Sequence, residues 1–254
     1  MSSGLVIGRF CPPHLGHSHL ISRAAEQVDD LTVIVFSKDE EPVPGPLREQ
    51  WLQELHPGVR VVNVHTDLAT NWNDENTWQR WLALIRGVVS TDPNVVFSSE
   101  AYGGELAHRL GAANVVVDAD RVAVPISASM IRAEPGRHLR HLSPKVRAWV
   151  GRTWMGCELC EAARMSVWHH EDDVCWIADC EVCDTPMVVW QEHGTDPPED
   201  AVHHMLDKLD RIATGMFGAG AFTVDRNMRQ IPDHFHAHAR DRDWWFRRGG
   251  AVRR

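Results

Sequence analysis

Apolar and polar positions follow two different periods along the first 150 residues. Short apolar runs at 5–7, 31–37 (LTVIVFS), 59–64, 95–98 and 115–117 have strand length, and the second is unbroken, as a strand buried on both faces requires. Between the runs, segments 16–28, 47–55, 73–89 and 104–110 repeat apolar residues at helical spacing. In 73–89, Trp78, Trp81, Leu82, Ile85 and Val88 or Val89 share one side. Strands alternating with helices predict an α/β fold, a doubly wound parallel sheet with right-handed crossovers (Rossmann-like). A further helix opens at 126–132, and 142–150 closes the domain. Ligands of such sheets sit outside the carboxyl ends of the strands. That rule gathers 10–17, 37–39, 67–73 and 98–104 around one crevice.

After a junction at 151–156 the pattern changes. Segment 186–190 (PMVVW) reads as a strand and 198–212 as a helix. Then 233–240 (DHFHAHAR) alternates histidine with other residues at period two, which predicts a strand with His234, His236 and His238 on one face. The chain of 254 residues therefore divides into a domain at 1–150 and a smaller α+β domain at 151–254.

Composition narrows the function classes. A formal charge of −9 argues against a general nucleic-acid binder, although Arg247, Arg248, Arg253 and Arg254 make a small basic tail. No apolar run approaches the ~20 residues of a membrane span, so no membrane partner is expected. The N-terminal residues lack a basic segment followed by a long apolar one, so no secretory signal is expected and the compartment reads as cytoplasmic. Five of the 6 cysteines (Cys157, Cys160, Cys175, Cys180, Cys183) fall close together, and in a reducing compartment such a cluster points to metal before disulfides. The sequence leaves the oligomeric state open, a homo-oligomer included.

The candidate chemistry begins in LVIGRFCPPHLGH, a strand, a glycine turn and a helix mouth. Gly8, Arg9 and Phe10 form the turn, and His14 and His17, three residues apart, share a face of the first helical turn. Unpaired N–H groups and a partial positive charge make a helix N-terminus a phosphate site. Imidazoles placed there can donate to phosphoryl oxygens as charge builds on them. Downstream, Ser127 is a good N-cap and Arg132 can offer a bidentate guanidinium to phosphates.

These two segments, GRFxPxHxGH and ISASMIR, resemble the signature of the nucleotidylyltransferase superfamily. Within it, together with 96–103 (VFSSEAYG), residues 4–150 are similar to nicotinamide-nucleotide adenylyltransferases of the bacterial bifunctional NAD-biosynthesis type. The resemblance implies adenylyl transfer from ATP to nicotinamide or nicotinate mononucleotide, giving NAD and pyrophosphate with Mg²⁺. It gives His14 and His17 to the transition state and Ser127 and Arg132 to the β- and γ-phosphates. It also gives Arg48, Asn73, Trp81 and Ser99 to substrate binding. Trp81 equally suits core packing, and Trp78 could take the stacking role. No GxxxxGK[ST] occurs, so the kinase activity of the bifunctional relatives is not carried over.

In the second domain, C-x2-C and C-x2-C separated by 19 residues match a tetrahedral Zn²⁺ site of Cys157, Cys160, Cys180 and Cys183. The order of a cysteine pair, a strand followed by His193, a helix and HxHxH also resembles the histidine-triad (HIT-like) superfamily. That likeness implies His236 as a nucleophile toward a nucleotide α-phosphate. From its zinc-bearing members comes a second ligand set, Cys157, Cys160, His193 and His234. Two other functions stay open: a transferase of the same superfamily with another acceptor, and a nucleotide-sensing regulator whose zinc module binds partners.

Overall fold

Each strand of the first domain is short, β-branched and framed by loop residues, and the chain folds it between helices. The computed structural model describes residues 1–89 and 91–242. The basic residues Arg247, Arg248, Arg253 and Arg254 lie outside the described residues. The chain forms two compact units, Met1–Val146 and Arg147–Arg254. The division falls inside a helix rather than at 150.

In the first unit the order is β1 (Ser3–Gly8), α1 (Leu15–Ala25), β2 (Asp30–Ser37), α2 (Gly45–Leu55), β3 (Arg60–His65) and α3 (Glu75–Val88). It continues with β4 (Val95–Ser98), α4 (Tyr102–Leu110), β5 (Ala113–Val116), α5 (Ala128–Ala133) and α6 (Pro135–His138), and the first residues of α7 (Pro144–Trp154) end it, the rest of that helix belonging to the second unit. The strands pair in parallel in the order β3-β2-β1-β4-β5. The strand order reverses between β1 and β4, so a crevice opens at their carboxyl ends. Alternation along the strands loads both faces. Val6, Val33 and Val35 pack on Leu20, Ile21 and Ala24 of α1 and Leu52 of α2. Leu5, Ile34 and Phe36 pack on Trp78, Trp81, Leu82 and Ile85 of α3 and Leu106 of α4.

The second unit holds α8 (Glu158–Glu161), β6 (Trp168–Glu171), β7 (Cys175–Asp179), β8 (Pro186–Trp190), α9 (Glu199–Phe217), β9 (Phe222–Asp225) and β10 (His236–Asp241). Its sheet is antiparallel in the order β6-β7-β8-β10-β9. Met205, Leu209 and Ala213 of α9 cover one face, meeting Ile177, Val188, Ala237 and Ala239. The opposite face carries Cys157, Leu159, Trp176, Ala178, Met187 and Val189. Period-two alternation therefore gives Ala237 and Ala239 to the helix and His236 and His238 to the other face. The strand begins at His236, later than the pattern predicts, so His234 precedes it. No helix among the described residues is long and apolar enough to cross a membrane.

One glycine shows how tightly the crevice rim is built. A Cβ on Gly45, at the start of α2, would collide with the side chains of Ser37 and Asn63, with Ser37 Cβ 2.5 Å away. Alanine gains at most about 1 kcal/mol of helix propensity over glycine. Overpacking typically costs ~1–3 kcal/mol, so the collision wins. Gly45→Ala is expected to lower stability in urea unfolding; an unchanged or raised midpoint would contradict this packing.

Candidate functional site

The mouth of α1 is capped by a histidine. His14 is extended (φ −147°, ψ 170°), and its Nδ1 accepts from the backbone N–H of Gly16 (3.1 Å) and His17 (3.4 Å). An imidazole nitrogen that accepts carries no proton, so in the neutral ring Nε2 is the donor. The ring stacks on His17 with centroids 3.6 Å apart at 22°, and Phe10 meets His17 edge-on at 4.9 Å. Burial, and then Arg121, hold His14 down to about 3. Burial, and then His14, hold His17 well below the usual histidine range. Both are neutral near pH 7, and His17 Nδ1 is buried with no hydrogen-bond partner.

These rings line a cavity of about 840 Å³ over the carboxyl ends of β1 and β4. Gly8, Arg9, Phe10, Ser99, Ser127, Arg132 and Trp81 line it too. Ser127 caps α5 by accepting from Met130 N–H at 3.2 Å. Arg132 donates to the Cys11 carbonyl at 2.5 Å and to Ser129 Oγ at 3.1 Å, which ties the second motif to the loop of the first. Ser99 donates to the Val117 carbonyl at 2.6 Å.

Three expectations change. Arg48 is fully buried and does not line the cavity. Its guanidinium donates to the carbonyls of Arg9 and Phe36 and pairs with Glu41 at 2.5 Å, so it ties loops together. Asn73 is exposed in a loop and does not line the cavity either. Of the two tryptophans, Trp78 is core, its indole donating to the Trp72 carbonyl at 2.9 Å. Trp81 is buried with its edge on Phe36 and its indole on the Ala69 carbonyl, yet it reaches the cavity wall.

Sequence reasoning missed Trp72, Tyr102 and Arg121, which also line the cavity. Trp72 lies against Trp81 and stacks on Tyr102 (5.9 Å, 26°), extending the aromatic wall. A tryptophan between two asparagines in a polar loop is the signal that could have found it, because nothing in such a loop buries it.

In the second unit the structure gathers Cys157, Cys160, His193 and His234, their ligand atoms within 4.8 Å of one another. Cys157 Sγ lies 3.2 Å from His234 Nδ1, and Cys160 Sγ lies 3.2 Å from His193 Nδ1. His234 Nε2 donates to the Trp190 carbonyl at 2.8 Å, which leaves Nδ1 as a lone pair facing the thiols. The Asp233 carboxylate lies 3.6 Å from Nε2 of the fully buried His193. Cys157 is held down to about 2 by the hydrogen bond from Cys160, which is itself pushed up. Cys180 and Cys183 are not in this group. They gather with His238, so the structure does not assemble the four-cysteine set. A third group, His170, Asp172, Cys175 and His204, is closed on itself: Asp172 takes hydrogen bonds from both histidines and from two backbone N–H groups.

The three histidines of HxHxH do not converge on one point. His234 joins the cysteines, while His236 and His238 line a separate cavity of about 510 Å³. His236 Nδ1 donates to the His234 carbonyl at 2.8 Å, so Nε2 keeps its lone pair. Burial lowers the His236 pKa, which keeps that lone pair free near pH 7.

Residues 5–44 match the family model described as cytidylyltransferase-like. Over 174 residues the chain is 29% identical to the trifunctional NAD biosynthesis/regulator protein NadR of Escherichia coli, covering 59% of this chain and 41% of that protein. Over 114 residues it is 32% identical to a nicotinamide-nucleotide adenylyltransferase of Aeropyrum pernix, covering 39% of this chain and 64% of that one. A crystal structure of NadR protein in complex with NR is 26% identical, with a TM-score of 0.46 over 58% of this chain and 44% of that one. The chain thus spans less than half the length of the NadR relative that it matches. By motif and by these sequence relatives, the first unit is similar to nucleotidylyltransferases, with the match to the cytidylyltransferase-like model confined to its first strand, first helix and second strand.

Proposed function

We propose that the first unit transfers an adenylyl group from ATP to nicotinamide mononucleotide, or its deamido form, giving NAD, or deamido-NAD, and pyrophosphate. The observation that carries this reading is the stacked, neutral His14–His17 pair at the mouth of α1, in a cavity with an aromatic wall on its other side. The mononucleotide phosphate attacks the α-phosphorus in line and pyrophosphate leaves, so the protein supplies position and charge stabilisation rather than a nucleophile. His14 donates from Nε2, the nitrogen its cap leaves protonated. Arg132, beside it, serves the departing phosphates, with Ser127 at the start of α5. The flat nicotinamide ring suits Trp72 and Trp81.

Mg²⁺ belongs to the substrate as its ATP complex. Of the cavity's carboxylates, Asp118 is committed to the N–H groups of Val122, Ala123 and Val124, Glu41 to Arg48 and Glu100 to Arg121, so the phosphates would supply most of the ion's ligands, with Glu40 also on the cavity wall.

In the second unit, Cys157, Cys160, His193 and His234 suit zinc. Two thiolates and two imidazoles are its tetrahedral donor set, and the Trp190 carbonyl fixes one ring as an outer partner should. Bound there, zinc ties α8 to the approach of β10. His236, with Nδ1 anchored on a carbonyl and Nε2 free, is placed as a nucleophile toward a nucleotide phosphate.

The deciding experiment is pyrophosphate release from ATP with a panel of acceptors that includes nicotinamide mononucleotide, nicotinate mononucleotide and phosphopantetheine. Release with the pyridine mononucleotides alone is expected; release only with another acceptor points to a different branch. His17→Ala is expected to lower turnover by ~10²–10³. His14→Asn keeps a capping oxygen and should lower turnover with little loss of stability at pH 7.

The same variant has a pH signature. His14 has a native pKa below its ordinary value of 6.5, held to about 3, so the unfolded chain binds more protons between those limits. Stability is full above about pH 7 and falls as pH drops through that window. His14→Asn should flatten the fall in urea midpoints between pH 7 and 4. An equally steep fall would remove His14 as its source.

For the second unit, the full chain should hydrolyse adenosine phosphoramidate to AMP above the rate of His236→Ala. Equal rates would leave His236 without a catalytic role. Gly151 packs on His193, where a Cβ would sit 2.6 Å from Cγ. Gly151→Ala should therefore release the zinc held by the first cysteine pair. Retention of that metal in His193→Ala would show that His193 is not a ligand.

A further inference from the structure

The second cysteine pair closes the turn between β7 and β8. Cys180 N–H donates to the Thr185 carbonyl at 2.9 Å. The N–H groups of Cys183 and Asp184 return to the Cys180 carbonyl at 3.3 and 2.8 Å. Asp184 takes the left-handed conformation (φ 49°) that lets the turn close. A turn this tight brings the thiols at i and i+3 to one side. β10 pairs with β8 in a register that sets His238 opposite Met187, one residue into the strand that leaves the turn. Sheet register alone therefore brings the last histidine of HxHxH under the second CxxC.

The three ligand atoms lie within 4.8 Å of one another, and both thiols are free of disulfide. His238 is 6% exposed, and its Nδ1 is buried with no hydrogen-bond partner. Burying a polar nitrogen without a partner costs on the order of 1–3 kcal/mol, so the ring is placed where something else satisfies it. The first cluster already has four donors, so it needs nothing from Cys180 or Cys183.

We propose that Cys180, Cys183 and His238 form a second zinc site, with three protein ligands and a fourth position for a phosphate oxygen of the ligand in the His236 cavity. Two thiolates and one imidazole select zinc among the common divalent ions. Three protein ligands with one open position are the pattern of zinc sites that meet substrate. Cys180, Cys183, His236 and His238 all line the same cavity, with Arg229 at its edge. A phosphate held against zinc there sits beside the free nitrogen of His236. His238 thus acts through the metal rather than directly on the phosphate, and the site stands whether or not the first unit's activity or the first zinc cluster is as proposed.

The test uses the full chain, purified reduced with zinc present. Elemental analysis should find about one equivalent of zinc per chain fewer in Cys183→Ser and in His238→Asn than in the parent protein, whatever the first cluster holds. Alkylation with peptide mapping needs no variant. Cys180 and Cys183 should be shielded in the zinc-loaded protein and labelled after chelation, while Cys157 and Cys160 report separately on the first cluster. Cobalt substitution then probes the open position, since AMP should change the thiolate-bound cobalt spectrum. Labelling of Cys180 and Cys183 that ignores zinc, or a disulfide between them that persists in reduced, zinc-loaded protein, overturns the site. A cobalt spectrum unmoved by saturating AMP overturns its open position.

Discussion

A neutral imidazole has one donor and one acceptor, and in this chain the backbone decides which is which. The N–H groups at the mouth of α1 need an acceptor, so His14 must offer Nδ1, and its other nitrogen is left as a donor. The Trp190 carbonyl needs a donor, so His234 gives Nε2–H and presents a lone pair to two thiols. The His234 carbonyl takes Nδ1–H of His236 and leaves the opposite nitrogen with its lone pair. One ring type is thus presented in three ways, as a protonated donor, as a lone pair facing thiols and as an unengaged lone pair, set by three backbone partners. Burial supports the same logic. It holds His14 and His17 neutral, so the pair can face phosphates without the cost of two buried like charges.

Positioning falls to groups that never touch the cavity. Arg48 is fully buried, and its charge is balanced by Glu41. The same guanidinium reaches the carbonyls of Arg9, in the turn that leads to His14, and Phe36, at the end of β2. Removing one partner of a buried pair typically costs ~3–5 kcal/mol, because the other charge is left without compensation. The arginine therefore fixes the spacing between two strand ends, and the cavity rim inherits that spacing. Gly45 acts there by absence, since the space a Cβ would take is filled by Ser37 and Asn63.

The sequence was most legible where one periodicity acts alone. The unbroken run 31–37 became β2, and PMVVW became β8 with the bounds expected. The histidines at the mouth of α1 were readable because a helix start and its cap are local events. Trp72 was not readable, because its role depends on Trp81 and Tyr102, which come from different parts of the chain. The burial of Arg48 was not readable for a similar reason: an arginine at a helix start gives no local sign of the loops that fold over it. β6, β7 and β9 were missed because WHHE, CWIAD and FTVD are too short to establish a period.

The cysteines show where spacing stops being enough. C-x2-C repeated at a suitable distance fits one four-thiolate site as well as two separate ones, and only the third dimension decides. Cys157 is buried and Cys160, Cys180 and Cys183 are half-buried, and one dication would neutralise two thiolates. Four thiolates on one dication would leave two net negative charges to be desolvated, which burial penalises. Splitting the pairs and completing each with neutral imidazoles leaves both clusters without net charge. The HxHxH strand makes the split geometrically natural. Residues just before a strand can turn away from its face, while those within it alternate. His234, ahead of β10, is free to join the first pair, and His238, within it, is held by register to the second. His236 lies between them, and its Nδ1 hydrogen bond to the His234 carbonyl links its orientation to the first cluster, while its free nitrogen shares a cavity with the second.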